Sequence, residues 1–139
     1  AGLGPEVAPL LAQLIGDQPL AEPADLRLFD EGVDVAGLSF EVIHAPGHRP
    51  GCVMLRTGLA GNDRADQVVF TGDVLFAGSI GRTDLPGGDH AVMLDTLRGP
   101  VLGLSDTSAL LPGHGPQSLM AAERSSNPYL QADYLGGIR

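Results

Sequence analysis

Three turns in the sequence combine glycine with a side chain that can bind a metal ion. His48 closes the segment HAPGH (44–48), Asp73 closes TGD (71–73), and His114 is the centre of PGHGP (112–116). Each turn follows a short run of strand-forming residues. Glycine lets the backbone bend sharply there, so all three side chains could point into one cleft. Two imidazoles and a carboxylate suit Zn²⁺ or a similar divalent ion, and only the carboxylate is shaped to bridge two ions. The pattern raises the hypothesis of a metal site made by these three residues.

The same turns also permit a structural interpretation, which the residue types alone leave open. A histidine in a Gly-Pro turn is most often only a turn residue, and a Gly-Asp pair often forms a cap or an Asx-turn. His90 follows GGD (87–89) and is predicted to lie near a helix start. Cys52 begins a strand and is predicted to be a buried structural thiol rather than a nucleophile. Neither residue is counted as a candidate ligand.

The elements that would position these turns are short strands and helices. Alternation of strand-forming residues predicts strands, and helical spacing of apolar residues predicts helices. The strands are expected at 38–43, 53–56, 67–71 and 108–111, and the helices at 5–15, 89–98 and 117–125. Asp89 is the expected N-cap of the second helix. Because no linker or repeat divides the chain, we interpret residues 1–139 as one α/β (α+β) domain with layered sheet and helices.

Charge and composition narrow the class of protein. The 139 residues include 8 Lys and Arg against 17 Asp and Glu, and the formal net charge of −9 disfavours nucleic acid and anionic membranes as partners. Gly 20 and Pro 11 predict many turns. The single Cys excludes an internal disulfide, and no apolar run approaches the ~20 residues of a membrane span. The sequence therefore favours an acidic, loop-rich, cytoplasmic domain.

Three longer segments carry a resemblance to a known family. HAPGHRPGCV (44–53), VVFTGDVLFAGSIGRTDLPGGD (68–89) and LLPGHGPQSLMAAERSSNPYL (110–130) resemble the metallo-β-lactamase superfamily, and within it the glyoxalase II-like hydrolases. The resemblance implies an αββα sandwich with a dinuclear metal site at one edge of the sheets. It implies that His48 binds the first ion, that the catalytic carboxylate of Asp73 bridges both ions, and that His114 binds the second. It also implies two Zn²⁺ ions per intact domain, with iron or manganese as alternatives, and a structural role for His44.

One signature of that family does not occur in this sequence. The T-H-x-H-x-D-H segment, which carries most of the family's ligands, precedes the block that corresponds to HAPGH (44–48). We therefore expect the chain to be the C-terminal part of an αββα domain, truncated on its N-terminal side. Alone, it should be inactive or nearly so and should bind metal weakly. Loss of the first sheet would also expose an apolar face of the second and favour self-association.

Two further differences from the family pattern, and one loop that the chain shares with the family, bear on substrate binding and ligand support. Arg49 stands where the family has a small hydroxyl residue, and its cation could weaken metal binding or grip an anionic substrate. The helical extension that forms much of the glutathione pocket in glyoxalase II is not recognisable after Tyr129, which leaves the carrier thiol open. The loop GRTD (81–84) is expected either to support the ligands from behind or to be a salt-bridged structural turn.

The function that the resemblance implies is hydrolysis of a hydroxyacyl-thiol thioester, a small-molecule substrate, by a metal-activated hydroxide. Two alternatives stay open at the level of sequence. A mononuclear-iron persulfide dioxygenase shares the GRTD block but typically lacks the PGHGP motif found at 112–116. A non-catalytic binding remnant suits a chain in which three ligands are spread over two ion positions.

Overall fold

The computed structural model describes residue 24 and residues 32–136, so the predicted helix at 5–15 lies outside the described residues. The strands are β1 (Gly32–Val35), β2 (Leu38–His44), β3 (Val53–Gly58), β4 (Gln67–Gly72), β5 (Leu75–Phe76), β6 (Ser79–Ile80), β7 (Ser108–Pro112) and β8 (Ser118–Leu119). The α-helices are α1 (His90–Thr96) and α2 (Met120–Ser126). A π-helical segment (Leu97–Val101) continues α1, and a 3-10 turn (Pro128–Leu130) follows α2.

A six-stranded mixed sheet in the order β1-β2-β3-β4-β7-β8 forms the centre of the fold. Its neighbours are antiparallel except for β4 and β7, which are parallel, and β5 and β6 form a separate small hairpin. Because β4 and β7 run in the same direction, their carboxyl ends meet at one edge of the sheet. The turns that contain Asp73 and His114 therefore leave the sheet side by side.

Most of the predicted elements are confirmed, and one helix boundary is wrong. All four predicted strands occur, and α1 begins after Asp89, whose carboxylate accepts a hydrogen bond from the Val92 N–H at 3.1 Å. The helix expected at 117–125 instead begins at Met120, because Ser118 pairs with Leu110 and extends the sheet as β8. The short strands β1, β5 and β6 were not predicted.

The hydrophobic core lies between one face of the sheet and the helices. On that face Met54, Val69 and Leu110 are fully or almost fully buried, and they belong to the same cluster as Met93 and Leu97 of the helical layer. One sheet with a helical layer on one side is the mixed α/β class that the sequence predicts. In the part of the chain that the structure describes, no helix is long and apolar enough to cross a membrane.

The opposite face of the sheet is apolar and open. Val35, Leu38 and Phe70 are 55%, 53% and 41% exposed. A cavity of about 290 Å³ on this face is lined by Val33, Val35, Phe40, Leu55 and Phe70. The expected apolar face is thus present, and self-association of the chain through it stays a prediction.

Candidate metal centre

The turn between β2 and β3 positions His48. Gly47 precedes it with a φ of 133°, and a Cβ at this position would lie 2.6 Å from the Met93 Cα of α1. The carbonyl of Gly47 also accepts a hydrogen bond from the N–H of Asp89 at 2.8 Å. Because only glycine fits both the conformation and the close approach, the turn packs directly on α1 and places His48 at the sheet edge.

The orientation of the His48 ring is set by the GRTD loop. Nδ1 of His48 lies 2.8 Å from the backbone carbonyl oxygen of Arg82. A carbonyl can only accept, so Nδ1 carries the hydrogen and donates it, and in the neutral ring Nε2 keeps the free lone pair. This tautomer leaves Nε2, the nitrogen that faces Asp73, able to bind a metal ion.

Asp73 occupies the centre of the site, between two histidines. Its Oδ2 lies 3.6 Å from Nε2 of His48, and its Oδ1 lies 3.6 Å from Nε2 of His114. Both separations exceed hydrogen-bond length, so these atoms face one another without bonding directly. A carboxylate that turns one oxygen toward each imidazole is arranged as a bridging ligand would be.

His114 follows β7, and its turn is fastened to the turn after β4. The N–H of Gly113 donates to the carbonyl of Gly72 at 2.8 Å. A Cβ on Gly113 would lie 2.8 Å from Oδ1 of Asp73, so the absence of a side chain leaves room for that carboxylate oxygen. On its other side the ring of His114 packs against Phe76, with centroids 4.6 Å apart and planes inclined by 30°.

A cavity of about 400 Å³ opens over these three side chains. Its wall is completed by residues of the β5–β6 hairpin and the segment after it, namely Phe76, Ser79, Ile80, Gly81 and Arg82 together with Gly115. The cavity thus joins the three candidate ligands to a wall that includes the apolar side chains of Phe76 and Ile80. Size and composition fit a small organic substrate.

The donor set is suited to metal ions but incomplete. Among the described residues, no group of three or more His, Cys, Asp or Glu side chains is arranged to hold an ion by itself. His48 with one oxygen of Asp73, and His114 with the other, offer two protein donors on each side. A zinc site needs three or four ligands, so each half requires further donors.

The other two histidines lie apart from this site, in the roles that the sequence predicts. Nε2 of His44 lies 2.9 Å from the carbonyl oxygen of Pro50 and donates to it, which closes the turn that carries His48. His90 is the first residue of α1, and its Nδ1 lies 3.3 Å from the Thr83 hydroxyl. Neither ring is turned toward Asp73 in a polar contact.

Cys52 is a half-buried thiol beside the hydrophobic core rather than a fully buried one. Burial is the main cause that raises the pKa of this thiol above its usual value, and Asp73 contributes in the same direction. A raised pKa disfavours the thiolate, so the position fits the predicted structural role and not a nucleophile.

The GRTD loop combines both roles that the sequence left open. Nε and Nη2 of Arg82 each donate to a carboxylate oxygen of Asp84 at 2.8 Å, and this pairing lowers the pKa of Asp84 to about 2. The side chains thus form an exposed salt-bridged turn, while the Arg82 carbonyl supports His48 from behind. Arg49, which the sequence suggested near the metal, does not line the cavity.

Sequence reasoning missed the hairpin that forms the cavity wall. The strands β5 and β6 have two residues each, too few for an alternation pattern to reveal. The only local signal is Gly78, which turns the hairpin with a φ of 69°. Phe76 is not singled out in the sequence, although its ring packs on His114.

Comparison with known proteins places these features in a family. Residues 5–114 match the family model of the metallo-beta-lactamase superfamily. An uncharacterized protein of Mycobacterium tuberculosis is 40% identical over 94% of this chain and 57% of its own length. The hydroxyacylglutathione hydrolase GloC of Haemophilus influenzae is 41% identical over 69% of this chain and 42% of its own length.

Solved structures agree with this assignment. The crystal structure of BLEG-1 B3 metallo-beta-lactamase superimposes with a TM-score of 0.68 at 36% identity, covering 86% of this chain and 56% of that one. TTHA1623 in a di-iron-bound form gives a TM-score of 0.65 at 36% identity, covering 90% of this chain and 59% of that one. The chain belongs to the metallo-beta-lactamase superfamily, and it spans little more than half the length of these relatives.

Proposed function

We propose that this chain supplies one part of the dinuclear metal centre of a hydrolase that cleaves hydroxyacyl-thiol thioesters. The observation that carries the proposal is the position of Asp73, whose two carboxylate oxygens lie 3.6 Å from one imidazole nitrogen each. A carboxylate that only formed a cap or an ordinary ion pair would not need a histidine on both sides. The similarity to a hydroxyacylglutathione hydrolase supports the same reaction class.

The chemistry of the donor set fits a pair of divalent ions. His48 and Asp73 would hold one ion, and Asp73 and His114 the other. When bound, such ions lower the pKa of a water molecule toward neutrality and polarise a carbonyl oxygen. Zinc suits imidazole and carboxylate donors, and iron is an alternative because one structural relative is described in a di-iron form.

The residues of the chain itself would orient the ligands and receive the substrate. The Arg82 carbonyl holds the His48 ring with Nε2 toward the site, and Gly113 leaves space for the Asp73 carboxylate. Phe76 and Ile80 offer apolar surface to the acyl or thiol part. Arg82 also lines the cavity, but its guanidinium is paired with Asp84, so its established contribution is the backbone carbonyl that holds His48.

The further donors that each half of the site requires define the first test. We expect the 139-residue chain alone to retain little zinc after dialysis and to show no measurable hydrolysis of S-lactoylglutathione. The same chain, fused behind the N-terminal portion of the Haemophilus influenzae hydrolase, should retain two ions and hydrolyse the thioester if that portion carries the T-H-x-H-x-D-H ligands that the family resemblance implies. Metal analysis and thiol release measure the two properties, with the N-terminal portion alone as the control.

Each contrary result rejects a different part of the proposal. Stoichiometric zinc and robust turnover by the chain alone would contradict the incomplete site. A folded, metal-loaded fusion without thioesterase activity would contradict the reaction. If that fusion consumed oxygen with glutathione persulfide instead, the persulfide dioxygenase alternative would replace the hydrolase proposal. If it were inactive in both assays, the non-catalytic binding role would be the remaining hypothesis.

A further inference from the structure

A buried polar network lies behind the β5–β6 hairpin, on the side away from the cavity. Its two central residues are Glu123, which is 4% exposed, and Asn127, which is fully buried. Both belong to α2 or its C-cap, four residues apart. A carboxylate and an amide in the interior are costly unless every polar atom is satisfied, so their contacts require a reason.

The carboxylate of Glu123 receives three hydrogen bonds. The backbone N–H of Gly78, at the tip of the hairpin, donates to Oε2 at 2.8 Å. The side-chain amide of Asn127 donates to the same oxygen at 2.8 Å, and the hydroxyl of Ser118 in β8 donates to Oε1. Glu123 therefore ties the tip of the hairpin to the last strand of the sheet.

Asn127 fixes the two arms of the hairpin. Its amide nitrogen lies 3.3 Å from the carbonyl oxygen of Phe76 and 3.2 Å from that of Ser79; one of its two hydrogens is directed to Glu123, so β5 and β6 share the other. Its Oδ1 accepts from the N–H of Tyr129 at 3.0 Å, which sets the orientation of the amide group. Together the two side chains hold the backbone of the hairpin on both arms and at its tip.

The hairpin in turn forms the wall of the candidate metal centre. Phe76 packs against the ring of His114 with centroids 4.6 Å apart, and Ser79 and Ile80 line the cavity beside it. His114 is 75% exposed in its side chain. A ring so exposed depends on Phe76 for its packing, so a shift of the hairpin would be transmitted to the imidazole.

We infer that Glu123 and Asn127 are positioning residues for the metal centre: they set the place of Phe76 against His114 and the width of the substrate cavity. What the cavity does rests on the proposed function, whereas the positioning itself can be measured without it. The network acts only through hydrogen bonds to the hairpin backbone, because neither residue lines the cavity. Donor and acceptor roles therefore decide which substitutions disturb it.

Asn127→Asp is the critical variant, since it removes the amide donor with almost no change in shape. The new oxygen would face the carbonyls of Phe76 and Ser79 and the carboxylate of Glu123, all of which are acceptors. Asn62→Asp is the matched control. The Oδ1 of Asn62 accepts from the N–H groups of Arg64 and Ala65, and an aspartate keeps that role.

Glu123→Gln and Glu123→Ala distinguish a side chain that can still accept the hydrogen bonds of this network from one that cannot. With its oxygen at the Oε2 position, glutamine still accepts from Gly78 and Asn127, and its amide can donate to the Ser118 hydroxyl, which can also accept. Glutamine should therefore preserve the position of the hairpin. Alanine leaves all three donors without this partner and should displace it.

The position of Phe76 against His114 can be followed by NMR. The measured quantity is the chemical shift of the His114 ring in the metal-free chain with labelled histidine. The Phe76 ring stacked on His114 shifts this signal, and Phe76→Leu calibrates the value without the ring. Asn127→Asp and Glu123→Ala should move the resonance most of the way toward the Phe76→Leu value. Glu123→Gln and Asn62→Asp should leave it within a small fraction of that difference. An unmoved resonance in folded Asn127→Asp, or equal shifts in the glutamine and alanine variants, would overturn the inference.

A second variant and a kinetic measurement complete the test of Glu123 and Asn127. If Asn127→Asp does not fold, Ser118→Ala removes one donor to Glu123, and it must shift His114 in the same direction by a smaller amount or the inference fails. In the fused form, Asn127→Asp should lower kcat/KM by roughly tenfold, because both the cavity wall and the His114 ring move with the hairpin. If the fusion has no activity while the resonance shifts as expected, only the proposed function fails.

Discussion

Replacing Asp73 with alanine is expected to remove both bound metal and thioester hydrolysis from the fusion of this chain with the N-terminal portion of the Haemophilus influenzae hydrolase. Among the residues that the structure describes, Asp73 is the side chain that faces both His48 and His114, at 3.6 Å on each side. Its loss deprives both ions of a ligand at once. Removal of partners that merely support ligands weakens metal affinity by about 10–100-fold. Loss of a shared ligand should exceed the upper end of that range, which metal analysis after dialysis and thioesterase assays would measure.

Asp73→Asn should retain an amount of bound metal between that of the unsubstituted fusion and that of Asp73→Ala. The asparagine side chain presents one oxygen and one NH₂ group, so it can act as a ligand on only one side. We expect this variant to retain close to one ion instead of two. Asp95→Ala is the control, because Asp95 is 79% exposed in its side chain and, within the described part of the chain, pairs with Arg98 one helical turn away. Retention of two ions by Asp73→Ala would remove Asp73 as the bridge.

Replacing Gly81 with alanine should have the largest effect on stability. A Cβ on Gly81 would lie 1.8 Å from the carbonyl oxygen of Asp73 and 3.2 Å from Cβ of His48. The N–H of Gly81 also donates to the carbonyl of Val74 at 3.1 Å, so the backbone cannot move away without losing that bond. Overpacking of this kind costs about 1–3 kcal/mol or more, which corresponds to a fall in Tm of roughly 10 °C.

The same substitution should also weaken metal binding, since the clash lies between two candidate ligands. Gly51→Ala provides the matched control. Gly51 is in the turn that carries His48, its φ is not positive, and a Cβ there meets nothing within 4 Å. Thermal unfolding should show a change of less than about 0.5 kcal/mol for Gly51→Ala. Unchanged Tm and metal affinity in Gly81→Ala would contradict the close packing of Gly81 on the site.

The position of the site could be predicted from the sequence because its parts are local. Each candidate ligand stands beside a glycine in the turn that follows a strand, and the strands ending before Asp73 and His114 were both recognised from their apolar residues. The parallel pairing of β4 and β7 then brings the two turns together. Which metal each residue would bind came from the resemblance to a family, not from spacing.

The supporting contacts could not be predicted because they join distant segments. The hydrogen bond from His48 to the Arg82 carbonyl spans 34 residues, and that from Gly78 to Glu123 spans 45. In the sequence, AAERSSN (121–127) has the composition of an exposed helix face, and nothing marks Glu123 and Asn127 as buried. Ser118 was assigned to the helix for the same reason, since its pairing with Leu110 depends on the rest of the sheet.

The separation of the two ions in the metal-loaded fusion decides whether Asp73 bridges them. X-ray absorption spectroscopy of the zinc-loaded protein reports the distance between metal atoms. A carboxylate bridge through Asp73 predicts two ions about 3.5–4 Å apart, the spacing of two-metal hydrolytic sites, and loss of this signal in Asp73→Ala. A single isolated ion, or a metal–metal signal that persists in Asp73→Ala, would contradict the account.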